Sequence, residues 1–115
     1  MGYEGGCHCG AVTFEVAGET PTEAMSCNCS HCRRKGFLLA FVPAETVTIS
    51  GEAALRDYTF NRHALRHRFC TICGCQPFSM GIDPAGQATA AINLRCVPSI
   101  DLDALTIRKV DGASF

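Results

Sequence analysis

Hydrophobic and polar residues alternate along much of this chain with a period of two. Val12, Phe14 and Val16 are interleaved with Thr13 and Glu15, and Val47 and Ile49 with Thr48 and Ser50. Arg56, Tyr58 and Phe60 alternate with Leu55, Asp57 and Thr59, and Leu65, His67 and Phe69 with Arg66 and Arg68. Successive side chains of a strand point to opposite faces, so each stretch predicts a half-buried strand. Ala88 to Leu94 and Leu105 to Val110 are compatible with strands, and the apolar run Phe37 to Ala44 predicts a buried one. Glycines and prolines interrupt the sequence so often that most segments are too short for ordinary helices. One short helix is expected at Ser30 to Lys35, with Ser30 as its cap. The pattern predicts an all-β fold of short antiparallel sheets. With no repeat, linker or charge block, residues 1–115 read as a single domain.

Composition narrows the function classes. The chain has 115 residues, ten Lys+Arg against eleven Asp+Glu, and a formal charge of -1. That balance gives no global attraction to nucleic acid or to an acidic membrane surface. A hydrophobic share of 47% and a charged share of 18% belong to a globular chain. The longest apolar run falls far short of the ~18 residues of a membrane span, and the start MGYEGGCHCG has neither a basic leader nor an apolar signal core. A cytoplasmic protein is expected. A chain of this length buries roughly two thirds of its unfolded surface, which leaves room for extra staples.

Nine cysteines provide them. An odd count leaves one thiol over in any all-disulfide scheme, and cytosolic thiols stay reduced, so metal binding is the expectation. Seven of the nine fall in clusters: Cys7-His8-Cys9, Cys27-Asn28-Cys29-Ser30-His31-Cys32, and Cys70-Thr71-Ile72-Cys73-Gly74. Thiols one residue apart form no easy disulfide, yet two thiolates sharing a zinc need that closeness. A glycine after the second cysteine permits the left-handed turn that aims backbone N–H groups at sulfur. A structural zinc takes four protein ligands, and a catalytic zinc commonly takes three. Seven thiols therefore divide into a closed site of Cys7, Cys9, Cys70 and Cys73 and an open one of Cys27, Cys29 and Cys32. Two zinc ions are expected, one structural and one catalytic or exchangeable.

Alternatives remain at this level. A C-x-x-C can be a redox pair. His31, Cys75 or Cys96 can close the second site as a fourth ligand; otherwise Cys75 and Cys96 read as small buried hydrophobes. His8 reads as solvent-facing.

The motifs GGCHCGAVTFEV (Gly5 to Val16), CNCSHCRRKGF (Cys27 to Phe37), YTFN (Tyr58 to Asn61), RFCTICGCQPF (Arg68 to Phe78) and INLRCV with DLDAL (Ile92 to Val97, Asp101 to Leu105) together resemble the glutathione-dependent formaldehyde-activating enzyme family, which includes centromere protein V. The resemblance covers nearly the whole chain. It implies a small zinc-bound β-tent with the same division of cysteines, and an enzyme that joins glutathione to formaldehyde as S-hydroxymethylglutathione, a carbon–sulfur lyase named for the reverse reaction.

On that reading a thiol becomes a thiolate at the open site and attacks a small aldehyde. His31 is the first expected proton donor, with His67 and His63 behind it. Arg33, Arg34 and Lys35 follow the site and are placed to attract a carboxylate-bearing thiol, although such a run also reads as a solvated face. A second basic stretch, Asn61 to Arg68, can add to that patch. The competing expectation is a non-catalytic zinc module for a protein or nucleic-acid partner, the latter disfavoured by the near-neutral charge.

Overall fold

The computed structural model describes residues 2–60 and 65–114. Ten strands and one helix are described, with several 3-10 turns between them: β1 (Gly2–Gly6), β2 (Thr13–Ala17), β3 (Glu23–Cys27), α1 (Ser30–Lys35), β4 (Leu39–Pro43), β5 (Val47–Ser50), β6 (Leu55–Tyr58), β7 (Arg66–Cys70), β8 (Phe78–Ile82), β9 (Ala88–Asn93) and β10 (Thr106–Val110). They form a three-stranded sheet in the order β1-β2-β5 and a seven-stranded sheet in the order β10-β3-β4-β9-β8-β7-β6. The all-β expectation is met. Every ladder is antiparallel except β10 on β3, which runs parallel and pairs Val110 with Cys27.

The two sheets meet through their alternating apolar positions. Phe14 and Val16 of β2 are buried, as are Phe78 of β8 and Ala90 and Ile92 of β9. Phe14 and Phe78 touch edge to face, with ring centroids 5.7 Å apart and planes at 81°. Such a pair adds about 1 kcal/mol to the burial of both rings.

The opposite face of the seven-stranded sheet is where the structure departs from the alternation. Strand register lines up Phe41, Ala91, Ser79, His67 and Tyr58 in one row across β4, β9, β8, β7 and β6. Large side chains stand at both ends of that row and small ones in the middle, so the face is hollow. Phe37 to Ala44 is therefore not a fully buried strand: Phe37 is buried, but Phe41 is 53% exposed because it stands on the hollow face. Leu65, expected on the buried side with His67, is 49% exposed at the rim of the same hollow.

The helix lies where its sequence predicts, but its cap is Cys29, whose sulfur accepts from the Cys32 N–H at 3.3 Å; Ser30 is the first helical residue. Gly36 ends it in a left-handed conformation, giving its N–H to the Cys32 carbonyl. No described helix is long and apolar enough to cross a membrane.

Candidate metal centres and the cavity beside them

Four sulfurs, those of Cys7, Cys9, Cys70 and Cys73, lie within 4.8 Å of one another. Cys7 and Cys9 come from the loop after β1; Cys70 ends β7, and Cys73 follows in the turn to β8. The Cys7–Cys9 and Cys9–Cys70 sulfur distances are both 3.7 Å, close to the ~3.8 Å edge of a tetrahedron with zinc–sulfur bonds of ~2.3 Å. Backbone N–H groups point at the sulfurs, from Val12 to Cys7 and from Ile72 to Cys70, each at 3.4 Å. Gly74 turns the knuckle at φ +78°, and its N–H closes on the Cys70 carbonyl at 2.8 Å. The N–H groups of Cys75 and Cys9 lower the Cys73 thiol to about 6. A thiol ionised near neutrality is ready to bind a cation.

The other three, Cys27, Cys29 and Cys32, also lie within 4.8 Å of one another. Cys27 ends β3 and the other two belong to the cap and first turn of α1. Burial opposes ionisation of Cys29, but the Cys32 N–H, the neighbouring sulfurs and the His31 N–H hold its thiol below the ordinary value. Burial and those same neighbours push Cys32 up. Three sulfurs this close cannot all be thiolates without a cation among them, so the donor set fits a soft divalent ion such as zinc. Among the described residues no fourth His, Cys, Asp or Glu joins the set.

The end of the chain backs this trio. Asn28 donates to the Asp111 carboxylate at 3.0 Å and accepts from the Ala113 N–H at 2.9 Å, drawing the turn at Gly112 over Cys27. Any side chain at Gly112 would run into the Cys27 sulfur.

The trio faces a cavity of about 360 Å³ on the hollow side of the sheet, lined also by Met25, Phe37, Leu39, Phe41, His67 and Ala91. His67 is held from behind. Its Nδ1 lies 2.9 Å from the Ser79 hydroxyl; the Gln76 amide donates to that hydroxyl at 3.1 Å and lies 3.5 Å from Nδ1. Two donors converge on Nδ1, so it accepts and the ring proton sits on Nε2. Burial, then the neighbouring His31, lowers His67 to about 4, which keeps the ring neutral.

His31, the first expected proton donor, stands outside this cavity. Its ring packs against His67 at 4.3 Å, Phe60 at 5.2 Å, Phe37 at 5.5 Å and Tyr58 at 5.6 Å. Its Nδ1 is buried without a hydrogen-bond partner among the described residues. It lines a neighbouring depression together with Arg34, Lys35 and Phe60. Arg33 lines a different depression, with Cys27, Cys32, Asn28 and Lys109, so the basic run splits between two depressions that border the three-sulfur cavity and none of its three residues lines that cavity itself. His8 is exposed. His63, with the start of the second basic stretch and Asn61 of YTFN, lies outside the described residues. Cys75 and Cys96 are half-buried and touch each other, sulfur to sulfur at 3.5 Å. The sequence reading missed Ser79, Gln76 and Gly112. Only the CGCQPF segment hinted at one of them, by placing a polar Gln76 among residues otherwise destined for the core.

The family model described as glutathione-dependent formaldehyde-activating enzyme matches residues 2–103. The chain belongs to that family. Its fold is also similar to the crystal structure of a Rhodobacter sphaeroides protein, with a TM-score of 0.77 at 25% identity over 91% of this chain and 99% of that one. All nine cysteines of this formaldehyde-activating-family member fall inside the matched span, whereas β10 and the Gly112 turn lie beyond it.

Proposed function

We propose that this protein is a zinc-dependent carbon–sulfur lyase that adds a thiol such as glutathione to a small aldehyde such as formaldehyde, giving the S-hydroxymethyl adduct, and that it works in the cytoplasm as one domain. The observation that carries the reading is the trio Cys27, Cys29 and Cys32, with no fourth protein ligand among the described residues, opening on a cavity. Cys7, Cys9, Cys70 and Cys73 hold a structural zinc. Zinc at the trio supplies a positive charge that favours the thiolate form of an incoming thiol.

The chain's own residues do the rest. His67 offers a neutral Nε2–H beside the cavity, held in that tautomer by Ser79 and Gln76, and donates a hydrogen bond to the oxygen that gains charge as the carbonyl is attacked; the proton that oxygen finally carries is the one the thiol gave up. Arg34 and Lys35, in the adjoining depression that shares Phe60 with the cavity, draw the carboxylates of glutathione. His31 packs behind His67 and positions its ring.

The test is a screen of thiol and aldehyde pairs by exchange NMR with zinc content measured alongside. Two zincs, one released selectively by mild chelation, and thiol addition faster than the uncatalysed rate are expected. Two equally inert zincs with no rate enhancement would overturn the reading.

A further inference from the structure

We infer that the cavity beside Cys27, Cys29 and Cys32 takes an aldehyde carrying an alkyl or aryl substituent, in preference to formaldehyde. The inference rests on the reading of the trio as the place where a thiol adds to an aldehyde, and it names the aldehyde's class.

Three observations converge on it. First, the hollow is built by the sheet and not by a loop. Ala91 and Ser79 sit between Phe41 and His67 in one cross-strand row, and the next row pairs Thr89 with Gly81, so a trough of small residues runs between large walls. At about 360 Å³ it lies in the range that encloses whole organic ligands. Formaldehyde, with two heavy atoms and no apolar surface, would leave most of it to water.

Second, among the described residues the lining is largely apolar and carries no cation. Of its polar side chains, His67 and Ser79 satisfy each other, and Asp83 accepts the Gln87 N–H at 2.8 Å. Among the described residues neither lysine nor arginine lines it, so the anionic tail of a thiol belongs in the cationic depressions beside it, one with Arg34 and Lys35 and the other with Arg33 and Lys109. Third, Phe41, Leu65 and Ile82 converge on the cavity although they are 53%, 49% and 66% exposed. Large side chains left in water around one opening mark a surface that gains by being covered with an apolar ligand.

The chemistry balances without any oxidant or reductant. The thiol sulfur forms a bond to the carbonyl carbon, the C=O π pair moves onto oxygen, and the thiol's proton ends on that oxygen to give a hemithioacetal. The substituent on the carbonyl carbon lies along the trough.

The experiment has a binding arm and a rate arm on the zinc-loaded protein. In the first, hexan-1-ol, which cannot undergo the addition, is titrated and followed by ligand-observed NMR. It should bind the parent protein, and Ala91→Phe, which fills the trough, should weaken binding tenfold or more with zinc content and circular dichroism unchanged. Thr89→Phe, at a half-exposed position of the same trough, gives the same readout if Ala91→Phe does not fold. In the second arm, rates of glutathione addition to formaldehyde, propanal, hexanal and phenylacetaldehyde are compared. Efficiency should rise about fourfold per methylene over the first carbons, as burial of each CH₂ allows. Formaldehyde used as well as hexanal, with no hexanol binding, overturns the inference and leaves the reading of the trio intact. Hexanol binding that Ala91→Phe blocks, with no addition to any aldehyde, overturns the reading of the trio instead.

Discussion

His67 and Ser79 stand directly opposite each other on β7 and β8, Nδ1 and Oγ 2.9 Å apart, with Gln76 donating to the hydroxyl from behind. A buried imidazole held this way has one proton to offer and no reason to take up a second. That relationship joins the interior of the sheet to the cavity and leads to the first two expectations.

Because His67 titrates at about 4 when folded and near 6.5 when unfolded, the unfolded chain binds the extra proton first. The contribution of His67 to stability is therefore complete above pH 6.5 and is lost as pH falls toward 4. Thermal melts across that window should show the parent losing on the order of 2 kcal/mol more than His67→Asn. Parallel curves would mean that the ring is not held neutral.

If His67 Nε2–H hydrogen-bonds the developing alkoxide, His67→Ala should lower kcat for thiol addition by about 10²-fold with KM little changed. Ser79→Ala removes only the group that fixes the tautomer, and a loss of about tenfold is expected. The tautomer itself is visible by long-range ¹H–¹⁵N NMR, which should show the proton on Nε2 in the parent and a mixture in Ser79→Ala.

The two cysteine sets should fail differently. Serine at Cys27, Cys29 or Cys32 should remove one zinc and the activity but leave the circular dichroism of the parent. Serine at Cys70 or Cys73 should unfold the protein, since a structural zinc contributes about 10 kcal/mol or more of apparent folding energy. Identical behaviour of all five variants would erase the distinction between the sets.

Arg34 and Lys35 line a depression that shares Phe60 with the cavity, and Arg33 lines one that shares Cys27, Cys32 and Phe37 with it. If the glutathione carboxylates lie on the Arg34 side, Arg34→Ala and Lys35→Ala should each raise KM for glutathione roughly three- to tenfold, more at low salt, with a smaller effect of Arg33→Ala; the reverse order would put them on the Arg33 side. Equal effects at all three positions would indicate general steering by a solvated face.

Gly112→Ala places a methyl group against the Cys27 sulfur. It should cost about 1–3 kcal/mol by overpacking and speed release of the more labile zinc to a chromogenic chelator. Asn28→Ala loses both tethers of the same turn and should act in the same direction more mildly, by about 1 kcal/mol.

Much of the candidate site was legible because cysteine spacing is local: each cluster lies within six residues, and the turn at Gly74 follows from its place after Cys73. Alternation likewise marked β2, β5, β6 and β7, and strand-compatible composition marked β9 and β10. It was silent on β1, whose GYEGG has almost no side chains to alternate, and it could not say whether a face meets a core or a cavity, which misplaced Phe41 and Leu65. Arg33 parts from Arg34 and Lys35 because neighbours on a helix do not share a face, a division that a run of three letters does not display. The pairing of β10 with β3 and the seat of Gly112 over Cys27 join residues more than eighty positions apart, and no local pattern carries that information.

That long-range pairing orders the protein's assembly in time. The four sulfurs and the turn that aims N–H groups at them lie within residues 7–75, so on the proposed reading a nascent chain can gather them and take up a first zinc while the remainder is still being synthesised. The trio receives its parallel strand and the Gly112 turn only once residues 106–112 have been added. On the proposed reading the three-sulfur site is thus completed after the four-sulfur one, on a scaffold already held together, which limits the time that three thiols spend open to the wrong metal.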